Sequence, residues 1–244
     1  MKACGVCSPG CNKGSQVKPD ISRWQPPPES LRLAPDDLHL WRFRIGISAE
    51  AATVLRQSLT AGEIARADRF IRIQHQVKFV AARYGLRRIL AGYLKCSPAA
   101  IRFDYSQQGK PSLGKDHQSS ITFNLSHAGG WAVIAVTSGS DVGVDVEEVM
   151  IKDNLQQLGD YAFDEAEKRL FADFSPARRQ RGFYRLWTAK ESRLKMIGVG
   201  LGDMKKIIVP RFQCFFVPAK GYVAAAAADD HIVRVVRYHD VITD

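Results

Sequence analysis

The chain has 244 residues, 45% of them apolar and 25% charged, the composition of a globular protein long enough to bury a real core in one large domain or two small ones. No run of about 18 apolar residues is present and residues 1–30 lack the apolar stretch of a secretory leader, so neither a membrane span nor export is expected and the cytoplasm is the default location. Thirty-five basic against 25 acidic residues leave a net charge of +10, which calls for an anionic partner (nucleic acid, anionic lipid, an acidic protein or a phosphorylated ligand) without choosing among them.

Residues 1–37 read as an unstructured tail, because Pro26-Pro27-Pro28 and Pro35 forbid a helix there. Cys4, Cys7 and Cys11 form a C-x2-C-x3-C cluster with no evident fourth ligand, and an odd total of five cysteines makes no disulfide framework. Cys96 and Cys214 are expected as buried thiols. Order is expected from Leu38-His39-Leu40-Trp41-Arg42-Phe43, whose alternation suggests a strand. Thr60-Ala61-Gly62-Glu63 carries a capping-box pattern. Gln74 to Leu94 reads as a longer helix, with Val77, Val80, Ala81, Tyr84 and Ile89 near one face and Arg83 and Arg87 on another. From Ile121 the period changes to two. Ile121, Phe123 and Leu125 alternate with polar neighbours, and Trp131 to Val136 follows Ala128-Gly129-Gly130, which reads as a hairpin. A further strand is expected at Val142 to Val146. The second half then repeats the order: an acidic N-cap at Asp164-Glu165-Ala166-Glu167, a helix over 181–197 ended near Gly198 and Gly200, and strands over 206–217 and 231–238. Ala224 to Ala228 between them reads as a turn or poorly ordered loop. The pattern is that of an α+β protein built from two similar halves, residues 38–137 and 138–244.

Four stretches carry chemistry. In Gly143-Val144-Asp145-Val146-Glu147, strand alternation turns the valines to the core and stands Asp145 and Glu147 side by side on the other face. Two such carboxylates suit a hard cation, Mg²⁺ before Zn²⁺; the plainer alternative is a solvated acidic face. In the helix, Trp187, Glu191 and Lys195 are four apart and form one stripe. That stripe is either a surface ion pair beside a buried Trp or the source of a third oxygen for the same cation. Asn124-Leu125-Ser126-His127 runs into the Gly129-Gly130 turn, a candidate anion site or a plain hairpin end. Adjacent strand residues point apart, so Ser126 and His127 make no hydrolase pair. Gly109-Lys110-Pro111 falls short of a P-loop and reads alone as a turn with an exposed lysine.

In that order and spacing, Gly109-Lys110-Pro111, Phe123-Asn124-Leu125-Ser126-His127, Gly143-Val144-Asp145-Val146-Glu147 and Trp187-x-x-Lys190-Glu191-Ser192-x-x-Lys195-x-x-Gly198 resemble the Sfp-type 4′-phosphopantetheinyl transferase family over roughly residues 40–220. The resemblance implies a pseudo-dimer of two α+β halves with coenzyme A in the cleft between them. It implies metal ligation by Asp145, Glu147 and Glu191, with Mg²⁺ as the ion. Coenzyme A contacts carry over to Arg83, Gly109, Lys110, Pro111, Asn124, Ser126 and His127. Lys195 matches the family lysine near the pyrophosphate, and Glu191 and Lys195 become the catalytic pair. Glu63 and Phe79 depart from the family by standing where some members carry polar or basic residues, and Arg66 only approximates a basic position. The implied reaction moves 4′-phosphopantetheine onto a serine of an apo acyl- or peptidyl-carrier protein, releasing 3′,5′-ADP, with the enzyme a monomer that needs neither nucleic acid nor membrane. Surplus arginines, Arg87 and Arg88 among them, are candidates for a carrier-facing surface. The rivals are a basic nucleic-acid-binding protein using Arg87-Arg88 and Arg178-Arg179-Gln180-Arg181, and a non-catalytic coenzyme A binder.

Overall fold

Two blocks with one order of elements make up most of the chain. The computed structural model describes residues 24–200, 202, 209–240 and 242, so the Cys4/Cys7/Cys11 cluster and residues 206–208 lie outside it. The first block runs β1 (Asp37–Arg44), α1 (Ala49–Leu55), α2 (Ala61–Asp68), α3 (Ile73–Leu94), β2 (Phe103–Tyr105), β3 (Pro111–Leu113), β4 (Ile121–Ala128) and β5 (Trp131–Ser138). The second runs β6 (Val142–Glu148), α4 (Leu155–Ala162), α5 (Glu165–Ala172), α6 (Pro176–Ile197), β7 (Phe212–Phe216) and β8 (Tyr222–Ala228), and β9 (Arg234–His239) follows.

Apart from the small β2–β3 hairpin, each block is a strand, two short helices, a 22-residue helix and a hairpin. In each, the second hairpin strand is central: β5 lies between β4 and β1, and β8 lies between β7 and β6. The local chemistry repeats too. Capping boxes at Thr60/Glu63 and Asp164/Glu167 open α2 and α5, each satisfying two helix-end donors. Both capping glutamates also bind a buried cation from the same position of the long helix: Arg87 Nε lies 2.9 Å from Glu63, and Lys190 Nζ lies 2.5 Å from Glu167. The two halves are thus one design used twice.

The layers follow from the alternation. One face of the first sheet, with Trp41, Phe43, Phe123 and Ile134, packs on α3 through Val80, Leu86 and Leu90. Its other face, with Leu38, Leu40, Val133 and Ala135, meets Val142, Val144 and Val146 of the second sheet. Burying each large side chain there stabilises by about 2 kcal/mol. The outer face of the second sheet lies against α6, close enough that Gly143 abuts the helix backbone at Ser192 and Met196.

Four expectations need correction. The Ala224–Ala228 run is no turn. It lies in β8, the buried central strand of the second sheet. Alternation cannot reveal a strand whose faces are alike, and alanine is what lets layers on both sides approach it. The tail does not extend to residue 37. Gln25 bridges Tyr238, Trp24 meets Phe216 edge-on at 6.0 Å, and Leu31 and Leu33 pack on the core. Prolines bar a helix there but not an extended segment. Nor does residue 137/138 divide the sheets cleanly, because β9 returns to lie parallel to β1. The two thiols differ in depth: Cys214 is buried, whereas Cys96 is half-buried.

Candidate active site

The carboxylates of β6 face α6, and the valines between them face the core. Val142, Val144 and Val146 are fully buried in the inter-sheet cluster, which leaves Asp145 and Glu147 on the helix side. The α6 helix places Glu191 and Lys195 one turn apart opposite them. One oxygen from each of Asp145, Glu147 and Glu191 falls within 4.8 Å of the others. Lys195 Nζ lies 2.5 Å from Asp145 Oδ1 and 3.3 Å from Glu191 Oε2. Ser126 Oγ donates to the same Asp145 Oδ1 at 3.0 Å and accepts from Lys195 at 3.1 Å. Asp145 Oδ2, by contrast, is buried without a hydrogen-bond partner among the described residues.

That orphan oxygen is informative. An unpaired buried carboxylate oxygen carries a desolvation cost, and a cation would remove it. The donor set is all oxygen, which fits a hard ion such as Mg²⁺. The electrostatics agree. Burial pushes Asp145 up to about 7, with Glu191 and Glu147 adding to the rise against the pull of Lys195. Glu147 is raised by burial and then by Glu191. Lys195 is held above its usual range by Asp145 and Glu191, which together outweigh its burial. The cluster therefore holds more negative charge than one ammonium balances.

The first half supplies the opposite wall. Asn124 Oδ1 accepts the Val144 backbone N–H at 2.9 Å, pinning β4 to β6. His127 points away from Ser126, as strand alternation requires, and its ring is solvent-accessible. Its pKa is lowered by loss of water and then by the positive charges of Lys195 and Lys78. Gly109 takes φ +80 in the β2–β3 turn. Lys110 is not the exposed lysine expected: it is half-buried, and its Nζ donates to Met196 O at 2.8 Å at the end of α6. Lysine there meets the negative end of the helix dipole. Lys110 and Pro111 also line a cavity of about 520 Å³ with Tyr105, Ser106 and Gly198.

Sequence comparison decides the family. A family model described as 4′-phosphopantetheinyl transferase superfamily matches residues 141–226, and one described as 4′-phosphopantetheinyl transferase, N-terminal, matches residues 48–139. The chain is 36% identical over 185 residues to the 4′-phosphopantetheinyl transferase HetI of Nostoc sp., covering 75% of this chain and 78% of that protein. The chain belongs to the 4′-phosphopantetheinyl transferase family. It is therefore a transferase of two-halved α+β architecture. More distant relatives include the human L-aminoadipate-semialdehyde dehydrogenase-phosphopantetheinyl transferase, 29% identical over 66% of this chain and 56% of that protein. Another is the 4′-phosphopantetheinyl transferase AcpT of Salmonella typhi, 32% identical over 48% of this chain and 62% of that protein.

The remaining cations of the transferase lie elsewhere. Arg83 is buried among Phe79, Phe103 and Tyr105, 3.4 Å from Glu63, and its Nη1 has no partner among the described residues. Arg87 cannot face a carrier. It is 1% exposed and locked to Glu63. Arg88 pairs with Asp240 at 2.9 Å. The burial of Arg87 likewise removes Arg87-Arg88 as a phosphate-tracking pair for nucleic acid. No described helix is long and apolar enough to cross a membrane. Sequence reasoning missed Tyr222 and Glu148, which close on the Gly129–Gly130 turn; the only signal was the tyrosine heading the alanine run.

Proposed function

We propose that this transferase moves 4′-phosphopantetheine from coenzyme A to a serine of an apo acyl- or peptidyl-carrier protein, releasing 3′,5′-ADP, with Mg²⁺ required. The observation that supports this most is the meeting of Asp145, Glu147 and Glu191 around an unpartnered buried oxygen. Those three residues would hold Mg²⁺, which when bound supplies Lewis-acid polarisation of the pyrophosphate. Phosphoryl transfer asks a protein mainly for positioning and charge neutralisation. Lys195 answers the negative charge that grows on the leaving phosphate. Glu191 takes the proton of the attacking serine as its oxygen bonds to the β-phosphorus and the bond to 3′,5′-ADP breaks. Ser126, Asn124 and His127 bound the phosphate side of the cleft. The Lys110–Pro111 cavity, with Gly109 setting its turn, takes the nucleotide end, and Arg83 serves the same ligand from beneath the β2–β3 hairpin. Both walls of the site come from one chain, so a monomer suffices.

The test is mass spectrometry of several apo-carriers incubated with the enzyme, coenzyme A and Mg²⁺. One carrier gaining phosphopantetheine supports the reading; no gain on any of them sinks it. His127→Ala is expected to raise the KM for coenzyme A about tenfold, the worth of one charge-assisted contact, with kcat within about threefold. A fall in kcat at constant KM would move His127 to the reacting centre instead. Metal affinity should follow pH. Carboxylates bind cations only when deprotonated, and Asp145 titrates near 7 in the metal-free protein. Its folded pKa is raised, so the proton competes with the metal below that pH. Calorimetry should therefore show weaker Mg²⁺ binding at pH 6 than at pH 8; equal affinity would place the ion elsewhere.

A further inference from the structure

The Gly129–Gly130 turn belongs to the first half, but the second half closes on it. The Gly130 N–H donates to Tyr222 Oη at 3.3 Å. Gly129 takes φ +54, and a β-carbon there would overlap Tyr222 Oη and the Glu148 carboxylate. Tyr222 and Glu148 are directly paired across β8 and β6, so one ladder rung aims both at the turn. Tyr222 is 8% exposed, and its ring is anchored in the inter-sheet cluster.

A two-glycine turn has little stiffness of its own. Along β4, the second half ties the strand at Asn124 through Val144 and at Ser126 through Asp145. His127 lies beyond both ties and leads straight into the turn. We propose that Tyr222 is a positioning residue: its hydroxyl, backed by Glu148, fixes the Gly129–Gly130 turn so that His127 stands ready for the coenzyme A phosphates. The inference rests on the coenzyme A reading of the site. The Tyr222 hydroxyl meets the Gly130 N–H rather than the Asp145, Glu147 and Glu191 carboxylates. Its loss therefore loosens a binding wall, and the ligand must then supply the order that the protein lacked.

The test is Tyr222→Phe, which keeps the ring and removes only the hydroxyl. The Kd and KM for coenzyme A should rise about fivefold, the scale of one ordinary hydrogen bond, with kcat within about twofold and the melting temperature nearly unchanged. Glu148→Gln should show the same split more weakly. In a double-mutant cycle, adding Tyr222→Phe to His127→Ala should change coenzyme A affinity no further, because the tyrosine acts through the histidine; additive losses would overturn the inference. Binding is read by calorimetry and turnover on an apo-carrier. If the wild-type protein binds no coenzyme A, the functional reading fails and takes this inference with it. If the wild type binds and Tyr222→Phe binds equally well, the inference alone fails. A variant that loses kcat and melting temperature with KM unchanged makes Tyr222 a packing residue only, which also overturns it.

Discussion

Asp145→Ala is expected to cut transfer about a thousandfold or more while the protein stays folded. The carboxylate joins both halves of the cluster: it meets Lys195 at 2.5 Å and Ser126 at 3.0 Å, and its other oxygen has no hydrogen-bond partner among the described residues. If Asp145 is a ligand as proposed, removing it from a charge-neutralising site costs transition-state stabilisation of several kcal/mol. Stability should move differently. The folded pKa of Asp145 is raised to about 7 by burial and by its acidic neighbours, far above an unfolded aspartate near 3.8. A raised carboxylate favours the folded state at low pH and burdens it as pH rises through 7. In chelator at pH 8, wild type thus carries an ionised, crowded Asp145 that the alanine variant lacks. The variant should melt no more than a few degrees below wild type there. Added Mg²⁺ should raise the melting temperature of wild type, as any ligand of the native state does, and leave the variant nearly unmoved. Near-normal turnover of the variant at limiting Mg²⁺ would show that the metal site is wrongly placed.

The parts of this site legible in the sequence were those set by local period. Strand alternation puts Asp145 and Glu147 on one face, and helical spacing puts Glu191 and Lys195 on one stripe. The long helices could be read for the same reason, though α6 begins at Pro176, five residues before the expected start; the Thr60/Glu63 capping box and the acidic N-cap at Asp164 were legible as local patterns. What could not be read was partnership. β6 follows β5 closely in sequence yet pairs with β8, and β9 leaves its own half to join β1. Alternation reports which face a side chain takes, never which strand lies beside it. Burial of charge was equally hidden: Arg87 and Lys190 look like surface cations until the capping glutamates Glu63 and Glu167 are found beneath them. Tyr222 was invisible because its partner is a backbone N–H 92 residues away.

The duplicated scaffold carries different side chains at matching positions of its two halves. Position 15 of each long helix is spent on the capping glutamate, as Arg87 in α3 and Lys190 in α6. The next residue is Arg88 in α3, paired to Asp240, and Glu191 in α6, facing Asp145. One framework thus holds a structural ion pair in one half and a candidate metal ligand in the other.

Gly143→Ala should be the most damaging single methyl in the protein. Strand β6 meets α6 backbone to backbone at this point: a β-carbon on Gly143 would overlap Ser192 O and Met196 N. Neither is a flexible side-chain end, so no rotamer change makes room. The helix or the strand must move, and overpacking of that kind costs about 3 kcal/mol, lowering the melting temperature by roughly 6–12 °C. The displacement also falls where function is most sensitive. Asp145 is two residues along the strand, and Glu191 and Lys195 flank the clash on the helix. Pushing the elements apart by about 1 Å would open the carboxylate cluster and cost transfer about a hundredfold, even at temperatures where the variant is fully folded. Val144→Ala is the control. Val144 is the neighbouring residue on the same strand, fully buried but facing the inter-sheet core. Its truncation should cost a comparable amount of stability, about 2 kcal/mol, yet leave the β6–α6 spacing intact. At 25 °C the valine variant should retain most of its transfer activity and its Mg²⁺ affinity, and the glycine variant should lose both. Equal activity in the two variants would mean that close approach of strand to helix does not set the site.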